Sequence, residues 1–252
     1  MANVKNVPER LWKYRAWDTD HHARDMIVDG EIYFASKEQL NDPFEFRYRD
    51  KFPDAPAELE RFAKELCALN YPYDSPQERR AHFRNLLAEI KHLAKAGGGI
   101  SPTAANIILG VFSVTEINND ILMWSHYADH HNGICIGLRP AIIGRLFMPV
   151  QYLTDVPIHD VWGYVQPNDD DFLNLSLFKS TRWEHEREWR TIKKIGPDRY
   201  PGCVDQIVIG ARADEKTRTE VLAAVDATAH EIKVFEAKLS ERKFGLDIVP
   251  VR

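Results

Sequence analysis

The chain has 252 residues, 44% of them hydrophobic and 28% charged, with a formal net charge of -5. This is the make-up of an ordinary globular protein with a core of normal size, and it argues against nucleic acid or an anionic membrane as the dominant partner. Cys67, Cys135 and Cys203 are far apart and form no CxxC pair, which disfavours a zinc knuckle or a redox motif and suits a reducing compartment.

MANVKNVPERLWKYR, at the start, lacks the apolar segment of a signal peptide, and no apolar run approaches a membrane span. The expectation is a cytoplasmic protein folded as a single domain over 1–252, with a helical insertion at 56–100. Leu11 to Trp17 alternates apolar and charged residues and predicts a first strand. Lys13 and Arg15 share one of its faces, and Trp12 and Tyr14 the other. Asp18 to Asp29 predicts a helix ended by Gly30, and Glu31 to Ser36 a second strand. Asn41-Asp42-Pro43-Phe44-Glu45 is a turn cluster, because Asn and Asp bond their own backbone and Pro fixes φ.

Leu59, Phe62, Ala63 and Leu66, then Phe83, Leu86, Leu87, Ile90 and Leu93, recur at helical spacing. They predict two amphipathic helices, with Gly97-Gly98-Gly99 as a flexible linker behind them. That glycine run lacks the lysine-and-hydroxyl ending of a phosphate loop and follows a helix rather than a strand. Leu109 to Thr115 and Ile134 to Leu138 predict buried strands. Between them a helix capped at Asn118-Asn119-Asp120 is expected to run to His131, with Gly133 as its left-handed terminator. A short strand follows at 150–153, then a helix at about Phe172 to Arg182 behind the acids 169–171. Val204 to Gly210 predicts a strand, Asp214 caps a helix to about Ala229, and strands at 232–237 and 244–249 close the chain. No GxGxxG turn supports a doubly wound dinucleotide fold. The fold class expected is α+β, a mixed and largely antiparallel sheet with flanking helices.

Chemistry concentrates in two stretches. Trp183-Glu-His-Glu-Arg-Glu-Trp-Arg190 packs carboxylates, arginines and tryptophans together. On a strand from Arg187 to Lys193, Glu188, Arg190 and Ile192 share a face, joined by Glu186 if the strand starts early; Trp189 and Thr191 take the other. Such a strand is either an ion-paired ladder or a catalytic edge. In Leu122 to His130, His126 and His130 are four residues apart, a spacing that can hold a metal. No third ligand accompanies them, so no metal is expected; His126 is a candidate for orienting a carboxylate or ligand, and the plainer reading makes one side of the helix core, through Met123, Tyr127 and Trp124, with His130 at its solvated end. Nucleophilic catalysis is unsupported, since no GxSxG elbow occurs.

Lys13-Tyr14-Arg15, Tyr33-Phe34-Ala35-Ser36 followed by Asn41-Asp42-Pro43-Phe44, Met123-Trp124-Ser125-His126-Tyr127-Ala128 ending in Gly133, and Trp183, Glu186 and Glu188-Trp189-Arg190 resemble the bacterial family known as domain of unknown function 2971. The resemblance covers nearly the whole chain, with the 56–100 block its most variable part, and it implies no established activity. More distantly, the order of motifs is similar to that of ADP-ribosyltransferases: Arg15 or Lys13 on the first strand, Tyr33 and Ser36 on the second, and Glu188 or Glu186 on a later one.

That likeness implies NAD as substrate. The glutamate would bind the nicotinamide ribose and steady the developing positive charge, an aromatic would stack on nicotinamide, and the first-strand cation would pair with ribose or phosphate. The second strand has no Ser-Thr-Ser, and Arg190 shares the face of Glu188. The alternative is a non-catalytic regulatory or defence-associated binding module in which the Glu-Trp-Arg strand is structural. A third reading assigns Asp42, Glu45, Glu186 and Glu188 to Mg²⁺ as oxygen ligands.

Overall fold

A computed structural model describes residues 6–17, 22–96, 109–166 and 176–251. In chain order the first elements are β1 (Leu11–Arg15), α1 (His22–Asp29), β2 (Glu31–Phe34), β3 (Arg49–Lys51), α2 (Pro56–Asn70) and α3 (Pro76–Lys95). Next come β4 (Leu109–Thr115), α4 (Ile121–Tyr127), β5 (Ile134–Leu138), α5 (Pro140–Ile143), β6 (Met148–Pro149), β7 (Gln151–Leu153), β8 (Ile158–Asp160) and β9 (Phe178–Ser180). The last are β10 (Glu188–Lys194), β11 (Gly196–Arg199), β12 (Val204–Ile209), α6 (Glu215–Asp226), β13 (Lys233–Leu239) and β14 (Leu246–Pro250). Chain contacts divide these into two compact units, Met1–Asn41 with Ile108–Val150 and Arg182–Arg252, and Asp42–Ile107 with Gln151–Thr181.

The first unit holds an eight-stranded sheet in the order β14-β13-β12-β5-β1-β4-β10-β6. Its pairings are antiparallel except β12 with β13, which are parallel and joined through α6. That parallel pair needs a crossover, and the Asp214-capped α6 supplies it: the Asp214 side chain accepts from the Thr217 N–H at 2.7 Å. The fold is therefore α+β with a mixed, mostly antiparallel sheet. One sheet face is buried with α1 and α6 through Leu11, Met26, Ile27, Phe112, Ile134, Trp189, Val221 and Val225. On the opposite face α4 supplies Met123 and Trp124 to a core with Trp12, Tyr14 and Cys135. Tyr14 and Trp124 meet edge to face, with ring centroids 5.2 Å apart. A separate ribbon pairs β2 with β11, which the sequence did not suggest because Pro197 disfavours a strand; as an edge residue it is tolerated.

The second unit is built on α2 and α3, whose Leu59, Phe62, Ala63, Leu66 and Ile90 form a core with Val161. The Ser75 side chain caps α3, accepting from the Glu78 N–H, and the Glu78 carboxylate accepts in turn from the Ser75 N–H at 2.9 Å. Parallel ribbons β3–β8 and β7–β9 complete it.

The periodicity misled in two places. The helix expected over Phe172 to Arg182 falls partly outside the described residues. Its described part is β9 followed by a 3-10 turn, Thr181–Glu186. Here alternation rules: Lys179 is buried between two partly exposed neighbours. The helix expected to reach His131 stops at Tyr127, and Asp129, His130 and His131 all have positive φ, at 45°, 52° and 73°. Gly133 is not the left-handed terminator. It is glycine because a Cβ there would lie 2.2 Å from the Arg15 carbonyl oxygen.

Candidate functional site

β10 pairs with β4 along its whole length, with Glu188 opposite Thr115 and Arg190 opposite Ser113. Glu188, Arg190 and Ile192 thus share one face, and Trp189 and Thr191 the other. The Glu188 carboxylate accepts from Arg190 Nε at 2.7 Å and from Arg190 Nη2 at 3.1 Å. Both side chains are buried, to 6% and 1% exposure. This two-pronged geometry is the strongest an arginine offers a carboxylate. Trp189 anchors the strand on the far face, its indole N–H donating to Glu116 at 2.7 Å.

Glu186 lies just ahead of the strand, on the side of the sheet that α4 covers. It ends the 3-10 turn, and Arg187 stands between it and β10 with φ 43°. The left-handed residue interrupts the extended backbone between the two acids. Glu186 is buried, at 3% exposure. It accepts a 2.6 Å hydrogen bond from the Tyr127 hydroxyl, which in turn accepts from the Asn41 amide at 2.8 Å. Side chains three apart on a 3-10 turn eclipse, so Trp183 and Glu186 lie along one edge. The His126 ring meets Trp183 at 6.5 Å and Tyr127 at 6.1 Å, in both cases edge to face. A buried carboxylate thus has a phenol as donor and an indole and an imidazole close by.

The other residues singled out in the sequence lie elsewhere. Trp12 and Glu188 both sit opposite Thr115, so they point to the same sheet face. Lys13 and Arg15 alternate with Trp12 and belong to the other face. The Lys13 ammonium donates to the Ser113 carbonyl at 2.8 Å and lies 5.3 Å from the centre of the Phe112 ring. Tyr33 is on β2, where Ile32 and Phe34 turn into the core and Tyr33 turns away. The Ser36 N–H donates to Gln39 at 2.9 Å, so Ser36 starts a short 3-10 turn. The geometry brings Glu186, His126, Tyr127 and Trp183 together, and the strand faces separate Arg15 and Lys13 from Glu188.

No family model, no curated protein and no solved structure matches this chain in comparisons with known proteins.

Asn41 and Tyr127 were not among the site candidates drawn from sequence. Tyr127 follows His126 directly, yet its apolar ring reads as core. Its hydroxyl bond to Glu186 depends on where the 3-10 turn falls. Across the described residues no three His, Cys, Asp or Glu side chains converge on a metal-sized site. His126 and His130 do not share a helical face, because α4 has ended before His130. His131 stacks beside Trp124 with 6.3 Å between ring centroids, and burial, then the nearby charges of Arg212 and His130, push its pKa down.

Proposed function

We propose that this protein cleaves NAD at the nicotinamide–ribose bond, with Glu186 as the acting carboxylate and Glu188 as the fixed counter-ion of Arg190. The supporting observation is the buried Glu186 held by Tyr127 at 2.6 Å beside the rings of Trp183 and His126. When the glycosidic bond breaks, its electron pair leaves with nicotinamide and positive charge develops on the ribose. A carboxylate fixed in advance stabilises that charge without reorganising. Water or an acceptor then adds to the ribose carbon and gives up its proton. Glu186 is assigned this work on its hydrogen bond from Tyr127 and its neighbouring rings, and Glu188 the pairing with Arg190.

The test is nicotinamide release from NAD by the pure chain. Glu186→Gln is expected to lower kcat about 10²–10³-fold, the usual loss for removing one electrostatic stabiliser. Tyr127→Phe removes a hydrogen bond to a charged group, worth about 1.5–3 kcal/mol, and is expected to lower kcat about 10–100-fold. No release by the wild type, together with no thermal stabilisation by NAD, would sink the proposal. The Glu188–Arg190 pair favours a second reading, a regulatory binding module without catalysis. On that reading Glu186→Gln leaves ligand affinity intact and no turnover is seen under any condition.

A further inference from the structure

In the second unit, β3 and β8 form a ribbon with inverted burial. Asp50 stands opposite His159 in the parallel register, so their side chains share a face. Both are buried, at 3% and 7% exposure, while Ile158 beside them is 60% exposed. A ribbon that puts its isoleucine in water and its aspartate and histidine inside runs against the ordinary preference for burial. Tyr48 lies two residues before Asp50 and is also buried. Tyr164, in the turn Val161–Tyr164 after β8, completes the group.

The donor atoms are close together. The Tyr164 hydroxyl donates to Asp50 Oδ1 at 2.7 Å and lies 3.2 Å from the Tyr48 hydroxyl. His159 Nδ1 is 3.5 Å from the same Asp50 oxygen. The other oxygen, Asp50 Oδ2, is buried with no hydrogen-bond partner among the described residues. A buried carboxylate oxygen left unsatisfied is costly, and it marks a place where a further group belongs. Donors held about 2.0–2.1 Å from an octahedral ion lie about 2.9 Å from their neighbours, which is the scale of these separations.

We propose that Tyr48, Asp50, His159 and Tyr164 form a binding site for a ferric ion. One carboxylate and two phenols are hard oxygen donors, and an imidazole suits iron as well. On binding, the two phenolic protons are released to solvent. One carboxylate and two phenolates then carry three negative charges, which balance a trivalent cation and leave a neutral centre. A divalent ion is balanced with only one of the two phenols ionised, so full use of this donor set favours the trivalent ion. The two hydroxyls and the carboxylate are already joined by hydrogen bonds. The site is independent of the NAD reading, since none of its residues belongs to the Glu186 cluster.

The experiment titrates the full chain with ferric ion supplied as its nitrilotriacetate complex. The expected result is a visible phenolate-to-iron charge-transfer band that saturates at one iron per chain, with vibrational modes of tyrosinate enhanced on excitation in that band. Tyr164→Phe is expected to lose at least half of that absorbance, and Asp50→Asn to weaken iron binding at least tenfold. Absence of the band at saturating ferric ion overturns the proposal. So does a band of unchanged intensity in both Tyr48→Phe and Tyr164→Phe, which would place the iron on other residues. Thermal stabilisation by Zn²⁺ without any ferric band overturns the assignment to iron. The wild-type vibrational spectrum decides the question even if a variant fails to fold.

Discussion

Replacing Glu188 with glutamine tests the reading of β10 directly. Arg190 is 1% exposed, and Glu188 holds it through two nitrogens at 2.7 and 3.1 Å. Glutamine keeps the shape but removes the negative charge and one of the two acceptor oxygens that Arg190 uses. Breaking a buried pair in this way costs about 3–5 kcal/mol. For a protein of this size each kcal/mol moves Tm by about 2–4 °C. The melting temperature is therefore expected to fall by roughly 6–20 °C. The assay is calorimetry alongside near-ultraviolet circular dichroism, which reports on the neighbouring Trp189. A companion variant, Glu188→Leu with Arg190→Met, removes both charges and is expected to recover much of the loss, since apolar replacement of a whole buried pair is often neutral. A Glu188→Gln melt within about 2 °C of wild type refutes the assignment of Glu188 as the counter-ion that stabilises Arg190.

Gly133→Ala is expected to destabilise the first unit by at least about 1–3 kcal/mol, because the new methyl would meet the Arg15 carbonyl at 2.2 Å; chemical denaturation measures the change. Asp120 accepts from the Leu122 and Met123 N–H groups, each at 2.9 Å, at the start of α4. Asp120→Ala is thus expected to cost about 0.5–2 kcal/mol in the same measurement. Burial raises all three thiols, Cys203 to about 12. Native protein at pH 8 should resist a thiol-directed disulfide reagent that labels the unfolded chain at once. For Cys203 the folded state holds its proton longer than the unfolded one, whose thiol titrates near about 8.5. This contribution to stability is therefore complete below about pH 8.5 and is lost as pH rises toward about 12, which a pH series of unfolding curves with a Cys203→Ala control would show.

Much of the fold was legible where one periodicity ruled a whole segment. The two-residue alternation of Glu188 to Ile192 and the helical spacing of Leu59 to Leu66 and of Phe83 to Ile90 correspond to β10, α2 and α3. The site was less legible. Arg187 takes a left-handed backbone that sequence rules reserve for glycine or asparagine, so nothing in its identity announces that the strand begins only at Glu188. The opposite orientations of Arg15 and Glu188 follow from the shared pairing of Trp12 and Glu188 with Thr115, a long-range register invisible to any local window. The Tyr48, Asp50 and His159 group was missed because hydrophobic patterning assigns Ile158 to the interior and His159 to water, and the ribbon does the reverse.

The salt bridge inside β10 also bears on the order of folding. Glu188 and Arg190 are two residues apart, so bringing them together closes almost no loop and costs little chain entropy. The charge that Arg190 must lose to solvent can be balanced before β4 docks, whereas a partner on another strand would arrive only with the sheet itself. Part of the cost of desolvating the guanidinium is then offset within the strand itself. Stopped-flow kinetics should register this as a folding rate slowed by Glu188→Gln, while a variant of a contact made late, such as Trp189 with Glu116, mainly accelerates unfolding.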